Sequence, residues 1–202
     1  MSLTNVRIMR KYIIDIEAIQ TSSSTWCYRE ISILNVLDKR IEVFYCKPCQ
    51  EINNLDEKYS KTFNFCKRNI HGLCYNHHPM EYNMKNRIYN DIEVVYQTLD
   101  CSRVVEYLKH NLFQSCTQAY TIYFKGGILE KYLMDKVLAS MKFQYIDIND
   151  YIDKFTKDDI AEFYLGKETI CHEVIHGSLN NIKSWTCHCS ANEVLFYYVA
   201  LF

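Results

Sequence analysis

Between residues 12 and 19 the chain reads Tyr12-Ile13-Ile14-Asp15-Ile16-Glu17-Ala18-Ile19, an apolar run with two carboxylates set two residues apart. In a strand, residues i and i+2 point to the same face, so Asp15 and Glu17 share a side. Burying both costs several kcal/mol unless a cation or hydrogen-bond donors compensate. The run therefore constrains the fold strongly. It predicts a buried strand with an acidic spot, opening a small α/β domain and suited to a divalent cation.

The rest of the chain extends this start. Residues 7–19 are the first strand, and the serine-rich stretch from Gln20 to Thr25 is a hairpin loop. Glu30 to Leu37 and Ile41 to Cys46 are the second and third strands of an antiparallel meander. Residues 47–100 carry both prolines and no clear period. Val104, Val105, Leu108 and Leu112 then mark an amphipathic helix capped by Ser102. Ala119 to Phe124 is a strand, followed by Lys125-Gly126-Gly127 and a helical stripe at Ile128, Leu129, Tyr132, Leu133, Val137 and Leu138. Phe143 to Ile148 is a fifth strand, Thr156 caps a short helix through Leu165, and Val194 to Phe202 forms a last helix. The expected fold is α/β, with a mixed five-stranded sheet flanked by helices, and residues 1–202 read as one domain.

Composition narrows the function classes. A net charge of −1 excludes a global basic field, so any nucleic-acid contact must be local. Seventeen tyrosines and ten phenylalanines with few glycines and prolines argue for an ordered globule. Ten cysteines in a chain of 202 residues, without a signal-peptide apolar core in Met1 to Lys11, point to a reduced intracellular setting, cytoplasm or nucleus. No apolar run approaches the ~20 residues needed to span a bilayer.

The element order resembles the ribonuclease H-like fold, and the motifs resemble the DEDDh 3′–5′ exonuclease family. Asp15-x-Glu17 matches the acids of its first strand. Phe44 to Pro48 and His71-Gly72-Leu73 match a strand-to-proline stretch and a later His-Gly element. Glu130 stands where the family has a helix acid. His188 with Glu193 five residues on matches its last motif, with glutamate in place of aspartate. Gly126-Gly127 replaces the family's usual His-Asn. The resemblance implies two-metal hydrolysis, with Asp15, Glu17, Glu130 and Glu193 holding two Mg²⁺ or Mn²⁺ ions and His188 accepting a proton from the attacking water. It implies a nucleic-acid substrate, RNA or DNA, and the partner expected is a single strand, with RNA ranked ahead of DNA. The extra methylene of glutamate moves a carboxylate by more than the ~0.5 Å that a catalytic shell tolerates.

Two other readings stand beside this one. Cys171-x4-His176 and Cys187-His188-Cys189 offer soft ligands for tetrahedral zinc. Here the chain resembles the Maelstrom domain, an RNase H-like fold that lacks the four acids and carries a Glu-Cys-His-Cys zinc cluster. Glu30, Cys171, His176 and Cys189 match it, with His172 competing for the histidine position. That resemblance implies a single-stranded RNA-binding module with structural zinc. The last reading is a catalytically dead interaction scaffold. Cys46-Lys47-Pro48-Cys49 adds a CxxC, either a zinc half-site or a redox pair. Locally, Ser190-Ala191-Asn192-Glu193 also reads as a capping box, which would turn Glu193 onto the Ser190 backbone N–H, and Glu130 as a first-turn acid favoured by the helix dipole.

Overall fold

Strand β1 (Met9–Gln20) pairs antiparallel with β2 (Trp26–Asn35), and β2 pairs antiparallel with β3 (Arg40–Lys47). The computed structural model describes residues 9–48, 54–69, 86–114, 118–151, 156–165 and 189–202. The β1–β2 loop closes through a Thr21 N–H to Thr25 carbonyl bond of 2.9 Å and a Ser22 to Thr25 hydroxyl bond of 2.8 Å. Between β2 and β3 the Asn35 side-chain oxygen accepts from the Leu37 and Asp38 N–H groups, an Asx turn built from a single side chain. The meander is as expected.

Among the described residues the sheet has seven strands, not five, in the order β4-β5-β3-β2-β1-β6-β7. The two additional strands lie in the stretch that showed no clear period. Helix α1 (Glu57–Asn69) is followed by β4 (Arg87–Tyr89) and β5 (Ile92–Asp100), a hairpin turning at Asn90 and Asp91 with φ of 47° and 66°. Those are the left-handed dihedrals of a type I′ turn, which Asn and Asp tolerate better than most residues. In β5, Ile92, Val94 and Tyr96 are buried at alternate positions while the strand runs parallel to β3.

A short 3₁₀ turn, Cys101–Arg103, leads into α2 (Val104–Asn111). Ser102 lies within that turn and does not cap α2. The chain enters α2 already wound, so Arg103 occupies the capping position with no side-chain bond. Strand β6 (Ala119–Phe124) runs parallel to β1, and β7 (Lys142–Asp147) parallel to β6, with α3 (Ile128–Val137) between them. Helix α4 (Lys157–Phe163) starts at Thr156, whose side chain forms the expected cap in a reciprocal box with Asp159. Helix α5 (Ser190–Leu201) begins four residues before the expected start.

The period of two divides the strands between two cores. Ile13, Leu34, Val43 and Val94 pack with Ile160 of α4 and with Val194 and Leu195 of α5. Ile14, Ile16, Ile31, Ile33 and Phe44 pack with Val104 and Leu108 of α2 and with Leu133, Met134 and Val137 of α3. The buried face of α3 is rotated from the expected stripe. Ile128 is 84% exposed and Tyr132 44%, while Glu130 points inward at 6%. β1 pairs with β6 only from Met9 to Ile13. Among the described residues, no strand pairs with the β6 side of β1 beyond Ile13, at the carboxyl ends of two parallel strands, where sheets of this kind form crevices.

Candidate metal centre

Asp15 and Glu17 lie just past the point where β6 leaves β1. Their cross-strand partners on β2 are Ser32 and Glu30, and the β1–β2 register shifts by one residue immediately after Glu17. Both acids share the α5 face with Ile13. The third member is Glu193, in the first turn of α5 and 3% exposed. One carboxylate oxygen from each of Asp15, Glu17 and Glu193 lies within 4.8 Å of the others. Three hard oxygen donors at that spacing suit Mg²⁺ or Mn²⁺. Burial, then the charges of Glu193 and Glu130, hold Asp15 well above the usual carboxylate range, against the pull of Lys157. A divalent cation would remove that penalty, so the donor set and its electrostatics fit the ion.

The capping-box expectation for Glu193 fails. Ser190 is already helical, Cys189 is the capping residue, and Glu193 faces the sheet instead of the Ser190 N–H. Its Oε1 meets the Lys157 ammonium from α4, and its Oε2 accepts a 2.6 Å bond from the Tyr197 hydroxyl one turn along α5. Desolvation is the largest influence on Lys157 and lowers its pKa, yet Glu193, Asp15 and Glu17 together leave it raised. Lys125, after β6, has its pKa lowered by burial and by Lys157, with Glu193 and Asp15 acting in the other sense. Lys125 reads in the sequence as either a phosphate contact or an ordinary surface cation, whereas neither Lys157 nor Tyr197 stands out as a site residue. The Glu193–Tyr197 spacing of four, which brings side chains together on a helix, was the available signal.

Glu130 reaches the same end of β1 from α3 without joining the close triad. Gly126, at φ 62°, turns the chain after β6, and its N–H donates to Asp147 Oδ1 at 3.1 Å. The Glu130 carboxylate then folds back over Gly127. A Cβ at residue 127 would lie 1.4 Å from Glu130 Oε2 and 2.3 Å from its Cδ. Only glycine leaves that space. Backbone bonds from Glu130 itself and Ile16 partly offset the burial, which nonetheless raises the Glu130 carboxyl to about 7, with Glu193 adding to the rise. Oε2 is buried with no hydrogen-bond partner among the described residues. Glu130 is therefore an inward-facing acid, and the first-turn location does not make it a surface residue.

The structure also brings Glu30 and Cys189 together. Glu30 is fully buried, and its Oε1 accepts from Cys189 Sγ at 3.2 Å, Ser190 Oγ at 2.7 Å and the Ala191 N–H at 3.3 Å. Ser32 and Ser190 hydroxyls lie 2.7 Å apart beside them. A carboxylate from β2 thus caps the N-terminus of α5, where the helix dipole favours negative charge, and this ties down the turn that carries Glu193. Cys171, His176 and His188 lie outside the described residues, as do His71, Gly72, Leu73 and Cys49. At Cys46, 1% exposed, burial pushes the thiol up to about 12. A buried protonated thiol is a poor nucleophile for redox exchange.

No protein-family model matches this sequence, and no curated protein matches it. Solved structures do. The chain is similar in fold to the Mopeia virus exonuclease domain. Depleted of manganese, that domain aligns with a TM-score of 0.53 at 17% identity, covering 95% of this chain and 75% of its own. Partially complexed with manganese, it aligns with a TM-score of 0.51 at 17% identity, over 96% and 77%. Identity this low makes the likeness one of fold. The site is argued from its own residues.

Proposed function

We propose that this chain is a metal-dependent 3′–5′ exonuclease-like hydrolase of single-stranded nucleic acid, RNA or DNA. The observation that carries the reading is the trio Asp15, Glu17 and Glu193, with ligand atoms within 4.8 Å at the carboxyl end of β1. The Mopeia virus domain with the similar fold has been seen partially complexed with manganese, which supports the same class of ion here. Asp15, Glu17 and Glu193 would hold the ions, Glu130 would complete the acidic wall, and His188 would accept a proton from the attacking water. Bound Mg²⁺ or Mn²⁺, a pair of ions in this reading, supplies charge for the phosphoryl oxygens and acidifies water toward neutrality. Tyr197 fixes the rotamer of Glu193 through its 2.6 Å bond, so the carboxylate is oriented before any ligand arrives. Strand polarity rests on the family resemblance of the Asp15-x-Glu17 and His188-x4-Glu193 motifs, which fit RNA and DNA alike.

The test is degradation of labelled oligonucleotides with Mn²⁺, beside an Asp15→Asn, Glu17→Gln double variant. Shortening from the 3′ end by the wild type, absent in the double variant, is expected. Equal degradation by both, or none by either, sinks the reading and leaves the interaction scaffold. A second reading rests on the 3.2 Å contact between Cys189 and Glu30. Those two, with Cys171 and His176, would make a Maelstrom-like structural zinc site in an RNA-binding module. Elemental analysis decides it: one zinc per chain, lost in a Cys171→Ser, Cys189→Ser variant, supports it, and a folded zinc-free protein eliminates it.

A further inference from the structure

Lys157 is in an unusual place for a lysine. It occupies the first position of α4, where the helix dipole disfavours a positive charge. The capping box of Thr156 and Asp159 already secures that helix end. Its ammonium instead reaches across to Glu193 Oε1, amid the fields of Asp15 and Glu17. Helix geometry gives no reason for this. The acidic trio does.

Glu193 has little freedom to share. Its side chain is 4% exposed. Tyr197, on the same helix and itself fully buried, takes the other carboxylate oxygen. Oε1 is the oxygen that no hydroxyl occupies, and it is the atom that Lys157 holds. Lys157 can leave, because its side chain is 40% exposed and its four-carbon stem is flexible.

We propose that Lys157 is the resident cation of the metal-free site, holding Glu193 Oε1 so that divalent-metal entry and the Lys157–Glu193 contact exclude one another. This rests on the metal-site reading of Asp15, Glu17 and Glu193. In the absence of metal the ammonium neutralises part of the acid cluster and keeps α5 docked. When a divalent ion takes Glu193, the ammonium is released from Oε1. The apparent metal affinity is then lower than the carboxylates alone would give, and the difference is set by this one contact.

Mn²⁺ titration calorimetry on the chelator-treated full chain tests it, with wild type, Lys157→Gln and Lys125→Gln compared. Lys157→Gln is expected to bind Mn²⁺ about tenfold more tightly than wild type, which corresponds to about 1.4 kcal/mol. Lys125→Gln removes a second positive charge that senses Glu193 and Asp15, and is expected to change affinity by less than about threefold, or about 0.7 kcal/mol. If both variants tighten binding equally, a diffuse field and not occupancy is responsible, and the proposal is overturned. Saturable wild-type binding with no gain in Lys157→Gln overturns it while the metal site stands. No binding in any of the proteins removes the metal-site reading itself. A measurement on the wild type guards against a misfolded variant. Acetylation of the Lys157 amine, followed by mass spectrometry, should accelerate several-fold when Mg²⁺ is added, with surface Lys61 as the unchanged reference. An unaltered Lys157 rate is a refutation.

Discussion

Glu130 offers the sharpest test of the site's electrostatics. Its carboxyl is raised from the ordinary 4.5 to about 7, chiefly by burial. A raised carboxyl behaves oppositely to a salt-bridged one. Between those two values the unfolded chain has released the proton and the folded chain retains it, so folding stability falls as pH rises. At about 1.4 kcal/mol per pH unit, the full effect is about 3 kcal/mol. It is complete below the unfolded value and lost through the folded one. Glu130→Gln keeps the volume and an oxygen acceptor for the Ile16 N–H while removing the ionisation. In EDTA, the variant's advantage over wild type should grow by about 2.5 kcal/mol between pH 5 and pH 8. Urea unfolding followed by circular dichroism at the two pH values reads this directly. Asp15, also held high by burial, adds a slope of the same sign to both proteins and largely cancels in the comparison. Saturating Mg²⁺ should close or reverse the gap, because a ligand that binds only the folded state stabilises the ionised form. A stability difference that stays constant from pH 5 to pH 8 would refute the account of Glu130 as a buried acid held near 7.

Two other substitutions probe how the site is assembled. Gly127→Ala has an ordinary extended backbone at φ −83°, ψ 127°, but its new Cβ would take the space of the Glu130 carboxylate. Glu130 should swing out, so the pH slope in EDTA flattens by about 2 kcal/mol and Mn²⁺-dependent hydrolysis falls; a wild-type slope in the same urea series would show that the clash is relieved elsewhere. Glu30→Ala strips the acceptor from three donors at the start of α5, and should cost about 2–3 kcal/mol, with faster hydrogen exchange in the first turn of that helix. A loss below about 1 kcal/mol would mean that water or a neighbouring group replaces the cap.

Local pattern carried far into the fold. The apolar run around Asp15 and Glu17, the loop at 21–25 and the alternation after Glu30 placed the meander, because each strand buries at least one face and so leaves a period of two in the residues. Thr156 was legible as a cap because its partner, Asp159, is three residues away. The β4–β5 hairpin was missed although Ile92, Val94 and Tyr96 alternate. Its turn uses Asn90-Asp91 in place of the stronger Asn-Gly signal, and it follows a long stretch without a period.

What the residues by themselves determined was the acidic strand and the class of sheet around it. Asp15 and Glu17 must share a face wherever this strand packs, and that needs only the pleat of the backbone. Tertiary structure alone decided what meets them. Ser190 to Glu193 reads locally as a capping box, yet Glu30, 160 residues from Ser190 in sequence, supplies the cap across the sheet. Glu193 is thereby left to join the two acids of β1. Lys157 and Gly127 gained their roles in the same way, one from a contact 36 residues away in sequence and the other from the fold-back of the Glu130 side chain. The physical reason is one of range. Propensity and periodicity act over a few residues, whereas the desolvation and repulsion that shape a charged cluster depend on which distant side chains the packed sheet brings to the same few ångströms.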